Sequence, residues 1–154
     1  MTISVRKTSL WKREVDNKPG VLADTLQPLA DTDCDLEIVM GYGMGKTAFI
    51  EVAPIGGKRA TAAAEKAGLT PSPVPAVIVT GDNRAGLGNT FARAIGDAGI
   101  NLNFLVAHVV GNRFSSVFGF DNEADCDRAI PLIRNAANAK KAKTATARQP
   151  VARA

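Results

Sequence analysis

The sequence predicts an α+β fold: two copies of one β-α-β-β-α unit in tandem, with antiparallel sheets and the helices on one face. Three observations carry this reading. Asp16-Asn17-Lys18-Pro19-Gly20-Val21 recurs 66 residues later as Asp82-Asn83-Arg84-Ala85-Gly86-Leu87, with Asp, Asn, a cation and Gly in matching places. The match runs on at the same offset, Leu29 meeting Ile95, Asp31 meeting Asp97, Asp35 meeting Asn101 and Leu36 meeting Leu102. Each loop also follows a short β-type run and precedes an apolar stripe of helical period. Self-similarity at a fixed offset is the signature of a duplicated supersecondary unit.

The elements follow in order. Residues 9–15 (SLWKREV) and 76–80 (AVIVT) are short strands that end in Asp/Asn/Gly turn clusters. Leu22, Leu26 and Leu29 in the first copy, and Leu87, Phe91, Ala94 and Ile95 in the second, fall on one helical face. Each helix therefore packs one side on a sheet. Residues 36–42 and 102–110 are strands, joined through Gly43-Met44-Gly45 and Gly111-Asn112-Arg113 to strands at 47–52 and 115–120, which makes two hairpins. A second helix closes each unit, at 58–67 on an alanine-rich run and at 122–134, opened by Asn and acids and kinked at Pro131. Gly68 to Pro75 supplies a last strand for the first copy, confined to a sheet edge by Pro71, Pro73 and Pro75. No strand follows Arg134, so the second copy either lacks its last strand or borrows one, for which Ile3–Lys7 is the available donor. The chain divides on this reading into residues 1–70, 71–135 and a tail, 136–154.

Charge patterning narrows the partners. The 154 residues carry a formal charge of +4, but five of the nineteen cations lie in the tail, which has no acid; the remainder is 14 positive against 15 negative. A weakly acidic body with a short basic tail does not suit a reader of phosphate, which concentrates cations on a folded face, so nucleic acid is not an expected partner. The tail itself, poor in residues able to bury area, reads as disordered or as frayed helix. The longest uncharged apolar stretch, Leu69–Gly81, holds three prolines and falls short of the ~18 residues a membrane helix needs. Charges interrupt the N-terminal segment where a signal peptide needs an apolar run, so a cytoplasmic protein is expected. Cys34 and Cys126 lack CxxC partners and read as small buried thiols.

Chemistry-bearing motifs are few. Gly45-Lys46-Thr47 ends like a phosphate loop, yet Met40 stands where its first glycine belongs, and the segment joins two strands. Gly86-Leu87-Gly88 begins a dinucleotide fingerprint in which Phe91 replaces the third glycine. Asp31, Asp33 and Asp35 mimic calcium-loop ligands, but Leu36 and Tyr42 replace the turn glycine and the bidentate Glu. His108, the sole histidine, lies in a valine-rich strand and reads as structural or pocket-lining, and Cys126 has no identifiable base. Glu123, Asp125 and Asp127 decorate a helix start, where acids favour the dipole. Phe114, Phe118 and Phe120 read as core, since the basic-aromatic signature of an RNA-binding sheet is missing. No catalytic residue, metal site or cofactor is expected.

The DNKPGV and DNRAGL loops, each followed by an amphipathic helix and then by Asp35-Leu36 or Asn101-Leu102 opening a strand, resemble ACT domains in tandem over residues 8–134. The resemblance implies ferredoxin-like βαββαβ units that sense small molecules, most often amino acids, and that pair side by side with ligand at the junction. Carried over by position, the residues implied to contact ligand are Asn17, Gly20 and Val21; Asn83, Gly86 and Leu87; and Asp35, Leu36, Asn101 and Leu102. The physics of the loop points the same way. Unpaired N–H groups where a strand turns into a helix favour a carboxylate, Gly20 and Gly86 let a ligand approach the backbone, and an Asn amide suits a zwitterion. Asp and Asn before a helix also serve as ordinary caps, and glycine there as a turn residue. Three departures stand out: Ala85 replaces a common proline, Gly88 stands where an apolar residue is usual, and Asp35 would repel a ligand carboxylate. The functional expectation is a regulatory or sensor protein that binds a small amino acid or related carboxylate at the interface between its two ACT-like units. The alternative is an interaction module without ligand that acts as the regulatory subunit of a biosynthetic enzyme. A homodimer through exposed sheet edges and an enzyme are the expected protein partners.

Overall fold

The computed structural model describes residues 2–139; the cationic part of the tail, 140–154, lies outside the described residues. The chain runs β1 (Ile3–Asp16), α1 (Val21–Ala30), β2 (Ile38–Met44), β3 (Thr47–Ala53), α2 (Gly57–Lys66), β4 (Thr70–Asp82), α3 (Leu87–Asp97), β5 (Leu102–Val110), β6 (Arg113–Phe120) and α4 (Glu123–Asn138). The six strands form one antiparallel sheet in the order β2-β3-β1-β4-β6-β5.

Two ferredoxin-like units share this sheet. The first uses the second part of β1, where Trp11 to Asp16 pair with Val52 to Thr47, and takes its last strand from the start of β4, where Thr70 and Pro71 pair with Lys12 and Trp11. The second begins with the end of β4, where Ala76 to Asp82 pair with Gly119 to Arg113, and takes its last strand from the start of β1, where Ile3 to Ser9 pair with Gly81 to Pro75. The N-terminal donor strand therefore completes the second unit. The expected separate pieces at 3–7 and 9–15 are one strand, as are those at 68–75 and 76–80, so the two sheets merge into one. Between the two parts the register slips opposite Leu10, which is fully buried. Pro71, Pro73 and Pro75 sit on the part of β4 that has β1 on one side and no strand on the other, where a missing N–H breaks no ladder.

Side-chain alternation sends the two faces of the sheet to different cores. Ile50 and Val52 pack with Leu29, Ala63, Ala64 and Leu69 under α1 and α2. Val5, Val77, Val79, Phe114, Phe118 and Phe120 pack with Phe91, Ile95, Cys126 and Ile133 under α3 and α4. The helix-free face carries a third cluster of Leu10, Ile38, Ala53, Ala76, Ile78 and Val117. The borrowed strand is tied to its unit by more than the ladder: Lys7 Nζ meets Glu123 at 2.9 Å and Asp127 at 2.5 Å, and Arg134 donates to the Val5 carbonyl at 3.1 Å.

Several boundaries differ from the sequence reading by one or two residues, and two differ for a reason the packing shows. β2 starts at Ile38 because Leu36, expected to open the strand, turns instead into the first core, and the Glu37 N–H makes the first bond, to Ala53. α4 runs four residues past Arg134 because Ala136 and Ala137 still pack on the second core. Cys126 is buried as expected, whereas Cys34 is half-buried beside the Pro54 carbonyl. Deleting residues 1–7 removes the outer ladder from Val77–Gly81. It is expected to lower the urea midpoint and strip hydrogen-exchange protection from β4 and β6 while sparing β2 and β3; unchanged protection across β6 would contradict the shared-strand architecture.

Candidate functional site

The repeated loops sit at equivalent places in the two units. Each first strand ends at its Asp, Asp16 or Asp82, and the next residue's N–H reaches across to a hairpin turn: Asn17 to the Lys46 carbonyl and Asn83 to that of Asn112, both at 2.8 Å. Each helix is then entered through its glycine. Gly20 (φ 87°) and Gly86 (φ 82°) are the N-caps, in the left-handed region that other residues enter at a cost, and neither helix start receives a side-chain cap. Asn17 and Asn83 thus do not serve as caps. In each loop the first helical N–H turns back, Val21 to the Lys18 carbonyl at 3.5 Å and Leu87 to that of Arg84 at 3.3 Å; the first full-turn bonds, Asp24 N–H to Gly20 and Thr90 N–H to Gly86, leave the two N–H groups between without an intrahelical partner.

A cavity lies beside each loop, under the adjoining edge strand. The first, of about 200 Å³, is bounded by Asp16–Lys18, Val21 and Leu22 on one side and Gly41–Gly43 of β2 on the other. Its contents are polar: Lys18 pairs with Asp16 at 3.3 Å, and Asn17 Nδ2 donates to the Gly45 carbonyl at 3.0 Å. The second, of about 300 Å³, is bounded by Asn83–Gly88, by Leu105, Ala107 and Val109 of β5, and by Phe91, Phe114 and Phe118 below. Arg84, one of the lining residues, donates to the carbonyls of Ala136 and Ala139, at 3.2 and 3.1 Å, and fastens the loop to the end of α4. Ser116 is buried at its floor and donates to the Val79 carbonyl.

The sequence-derived residues divide into two groups. Asn17, Val21, Asn83, Gly86 and Leu87 line these cavities, and Gly20 is the αL cap beside Val21. Asp35, Leu36, Asn101 and Leu102 line neither: Leu36 and Leu102 pack against the two cores, and Asn101 Nδ2 donates to Asp121 at 3.1 Å. The two loops lie at opposite ends of β1, each next to an edge strand and away from the β1–β4 seam between units. His108, read from the sequence as structural or pocket-lining, borders both the second cavity and one on the other face; sequence reasoning missed Leu105, Ala107, Val109 and Ser116, which alternation along a strand bordering a glycine loop could have found.

The edge strands are bare on their outer side. Val39, Tyr42 and Met44 of β2 and Leu105, Val106, Val109 and Val110 of β5 are exposed, Val110 to 72%. A third cavity, of about 350 Å³, opens on the helix-free face between Arg6, Ile38, Met40, Ile78 and His108. Beside it Tyr42 stacks on Phe49 and donates to the buried Glu51 at 3.2 Å. Burial, and then the Glu51 charge, push the Tyr42 phenol above its ordinary value.

No protein-family model matches the chain, and no curated protein matches it. Solved structures do. A protein from Bacteroides thetaiotaomicron superposes with a TM-score of 0.69 at 14% identity, over 85% of this chain and 89% of that one. The aspartokinase alpha and beta subunits give 0.62 at 17% identity, over 90% and 99%. The regulatory subunit of aspartate kinase from Thermus thermophilus, in ligand-free form, gives 0.61 at 14%, over 88% and 97%. The chain therefore has the ACT-like, ferredoxin-type fold of that regulatory subunit over nearly all of its described length.

Two predictions follow from the site's local physics. Gly20→Ala and Gly86→Ala each face open space, so the only penalty is the left-handed backbone, and urea unfolding should show about 1–2 kcal/mol lost in each. Gly88→Ala, also facing open space but inside the helix without a positive φ, should instead gain about 0.5–1 kcal/mol. Tyr42 is the only tyrosine, so its tyrosinate absorbance should titrate above the ordinary ~10. Because the raised value favours the protonated phenol in the fold, stability should fall as pH climbs from ~10 through the folded-state value. Tyr42→Phe should flatten that fall, and a midpoint at or below the ordinary value would contradict the partial desolvation of the phenol beside Glu51.

Proposed function

We propose that the chain is a regulatory or sensor protein that binds a small amino acid or related carboxylate at its strand-to-helix loops, 16–21 and 82–88, with a second copy of the chain closing the site along an exposed edge strand. The observation that carries this reading is the cavity bounded by Asn83–Gly88 and by β5. At the head of α3 the Gly88 and Asn89 N–H groups have no intrahelical partner, Leu87 being bonded back to Arg84; Asn83 offers a side-chain amide, and apolar residues line the body of the cavity. That combination suits a carboxylate with a side chain attached.

The edge strand supports the dimeric form of the proposal. β5 presents Leu105 and Val109 to the cavity side and Val106 to the other face, and its outer backbone groups have no strand beside them. An antiparallel partner strand would satisfy those groups and wall the cavity. The Asp35, Leu36, Asn101 and Leu102 contacts implied by resemblance would then have to come from the neighbouring copy. Likeness in fold to a regulatory subunit of aspartate kinase agrees with a partner enzyme as the reader of the ligand signal.

Bare edges on both β2 and β5 favour a second reading, in which the protein docks on a partner enzyme without any ligand. Thermal unfolding against the twenty amino acids and a few keto acids at millimolar concentration separates the two. Ligand at ~100 times its dissociation constant adds about 2.7 kcal/mol of stability, so a shift confined to one chemical family is expected. The Asn17→Ala, Asn83→Ala double variant should lose that shift. A panel that is flat throughout would sink the sensor and leave the docking module.

A further inference from the structure

The two loop sites are not equivalent, and the difference lies in pairs of residues at matched positions. Gly20 and Gly86 are the N-caps, so Leu22 and Gly88 are the same helical position; Gly41 pairs with Ile50 as Ala107 pairs with Ser116, so these too correspond. In the first unit Leu22 reaches across from α1 to β2, with its Cδ2 3.6 Å from where a Cβ on Gly41 would stand. It narrows the space between helix and strand, which is about 200 Å³ here against about 300 Å³ in the second unit. In the second unit Gly88 offers no side chain, nothing lies within 4 Å of its missing Cβ, and the gap to Ala107 stays open.

The amides differ in the same sense. Asn17 is committed to the Gly45 carbonyl and lies against Gly43, 2.7 Å from the position of a Cβ there. Among the described residues the Asn83 side chain makes no hydrogen bond, and the residue matching Gly43 is Val109, whose side chain adds to the cavity wall. The open cavity is walled by Leu87, Phe91, Leu105, Val109, Phe114 and Phe118, and its one loop cation, Arg84, is held by α4.

Building on the ligand-sensing reading above, we infer that only the second unit's cavity takes ligand, and that the ligand is a carboxylic acid with a branched aliphatic or aromatic side chain. A charged side chain in the body of this cavity would lose water among Leu87, Phe91, Leu105, Phe114 and Phe118, and the one arginine of the lining, Arg84, is already bonded to the carbonyls of Ala136 and Ala139, whereas an apolar side chain gains from leaving water. The carboxylate stays at the mouth with the loop, and the side chain enters where Leu22 sits in the first unit.

The test uses the full chain and four probes: leucine and phenylalanine against aspartate and lysine, read by thermal unfolding and by titration calorimetry. Leucine or phenylalanine should raise the melting temperature and aspartate and lysine should not. Gly88→Leu, which restores the first unit's leucine at this position, should weaken binding more than tenfold with no loss of unliganded stability, and Leu22→Ala should leave binding as it is. Should Gly88→Leu fold poorly, Ala107→Leu fills the same gap from the strand. A shift with aspartate or lysine, or undiminished leucine or phenylalanine binding in the filled variants, overturns this inference while leaving a sensor in place. Silence toward every amino and keto acid overturns the sensor reading, and the inference with it.

Discussion

The pairing of β1 with β4 is the constraint on which the rest of the chain depends. Each is more than twice as long as an average strand of about 5–6 residues, and each divides its length between the two units. Because β1 opens the first unit and ends the second, while β4 ends the first and opens the second, neither unit has a complete sheet by itself. The slip opposite Leu10 lets the two parts keep different registers: Ser9 faces Pro75, and two residues later Trp11 faces Pro71. A fully buried leucine at that slip ties the helix-free cluster to the seam. Cooperative stability across both units follows from this topology without any large inter-domain interface, since unpairing the seam removes a strand from each.

The same duplication explains how one unit can stay structural while the other opens. Beneath α1 the position matching Phe91 is Thr25, fully buried, bonded to the Val21 carbonyl and receiving Arg13 at 3.0 Å. Beneath α3, Phe91 packs against Phe114 and Phe118 with ring centroids 5.7 and 6.1 Å away. The first unit thus narrows its helix–strand space with Leu22 and a polar network; the second builds an aromatic floor and leaves a wider space above it. The paired glycine caps give both halves the same left-handed entry to the helix, so the two sites are distinguished by their side chains, in volume and in hydrogen bonding.

Much of this was legible because it rests on local chemistry repeated twice. The loops, the glycine positions, the helix stripes and the hairpins all follow from residues within a short span, and the N-terminal donor strand followed from counting which unit lacked one. What the sequence concealed is set by distant neighbours. That Leu36 turns into the core instead of opening β2 depends on how α1 meets α2. That α4 continues through Ala137 depends on the core beneath it and on Arg84 bonding its last carbonyls. The merging of strand pieces across Leu10 and across Pro75 was illegible for a related reason: bulges and prolines read as ends when no partner strand is in view. In the site, the DNKPG and DNRAG loops were visible, but the narrowing of the first space and its absence from the second were not, because Leu22 and Gly88 acquire meaning only opposite Gly41 and Ala107.

Shared residues couple the cavity to its surroundings in a way that bears on how a sensor of this shape would signal. Val109 walls the second cavity and is also one of the bare apolar residues of the edge strand β5. Arg84 belongs to the loop and also holds the C-terminal turn of α4, which packs on β1, β4 and β6. A ligand seated against Val109 and the loop would therefore act on two outputs, the edge available to a second chain and the end of α4. Linkage requires the converse with equal strength: a partner strand that orders β5 must tighten ligand binding by the same factor by which ligand favours the partner. A site placed at the seam would lack this reciprocity, because the seam is already paired on both sides. A cavity beneath an unpaired edge, as in the second unit, would make the proposed ligand and a protein partner on that edge thermodynamically aware of one another.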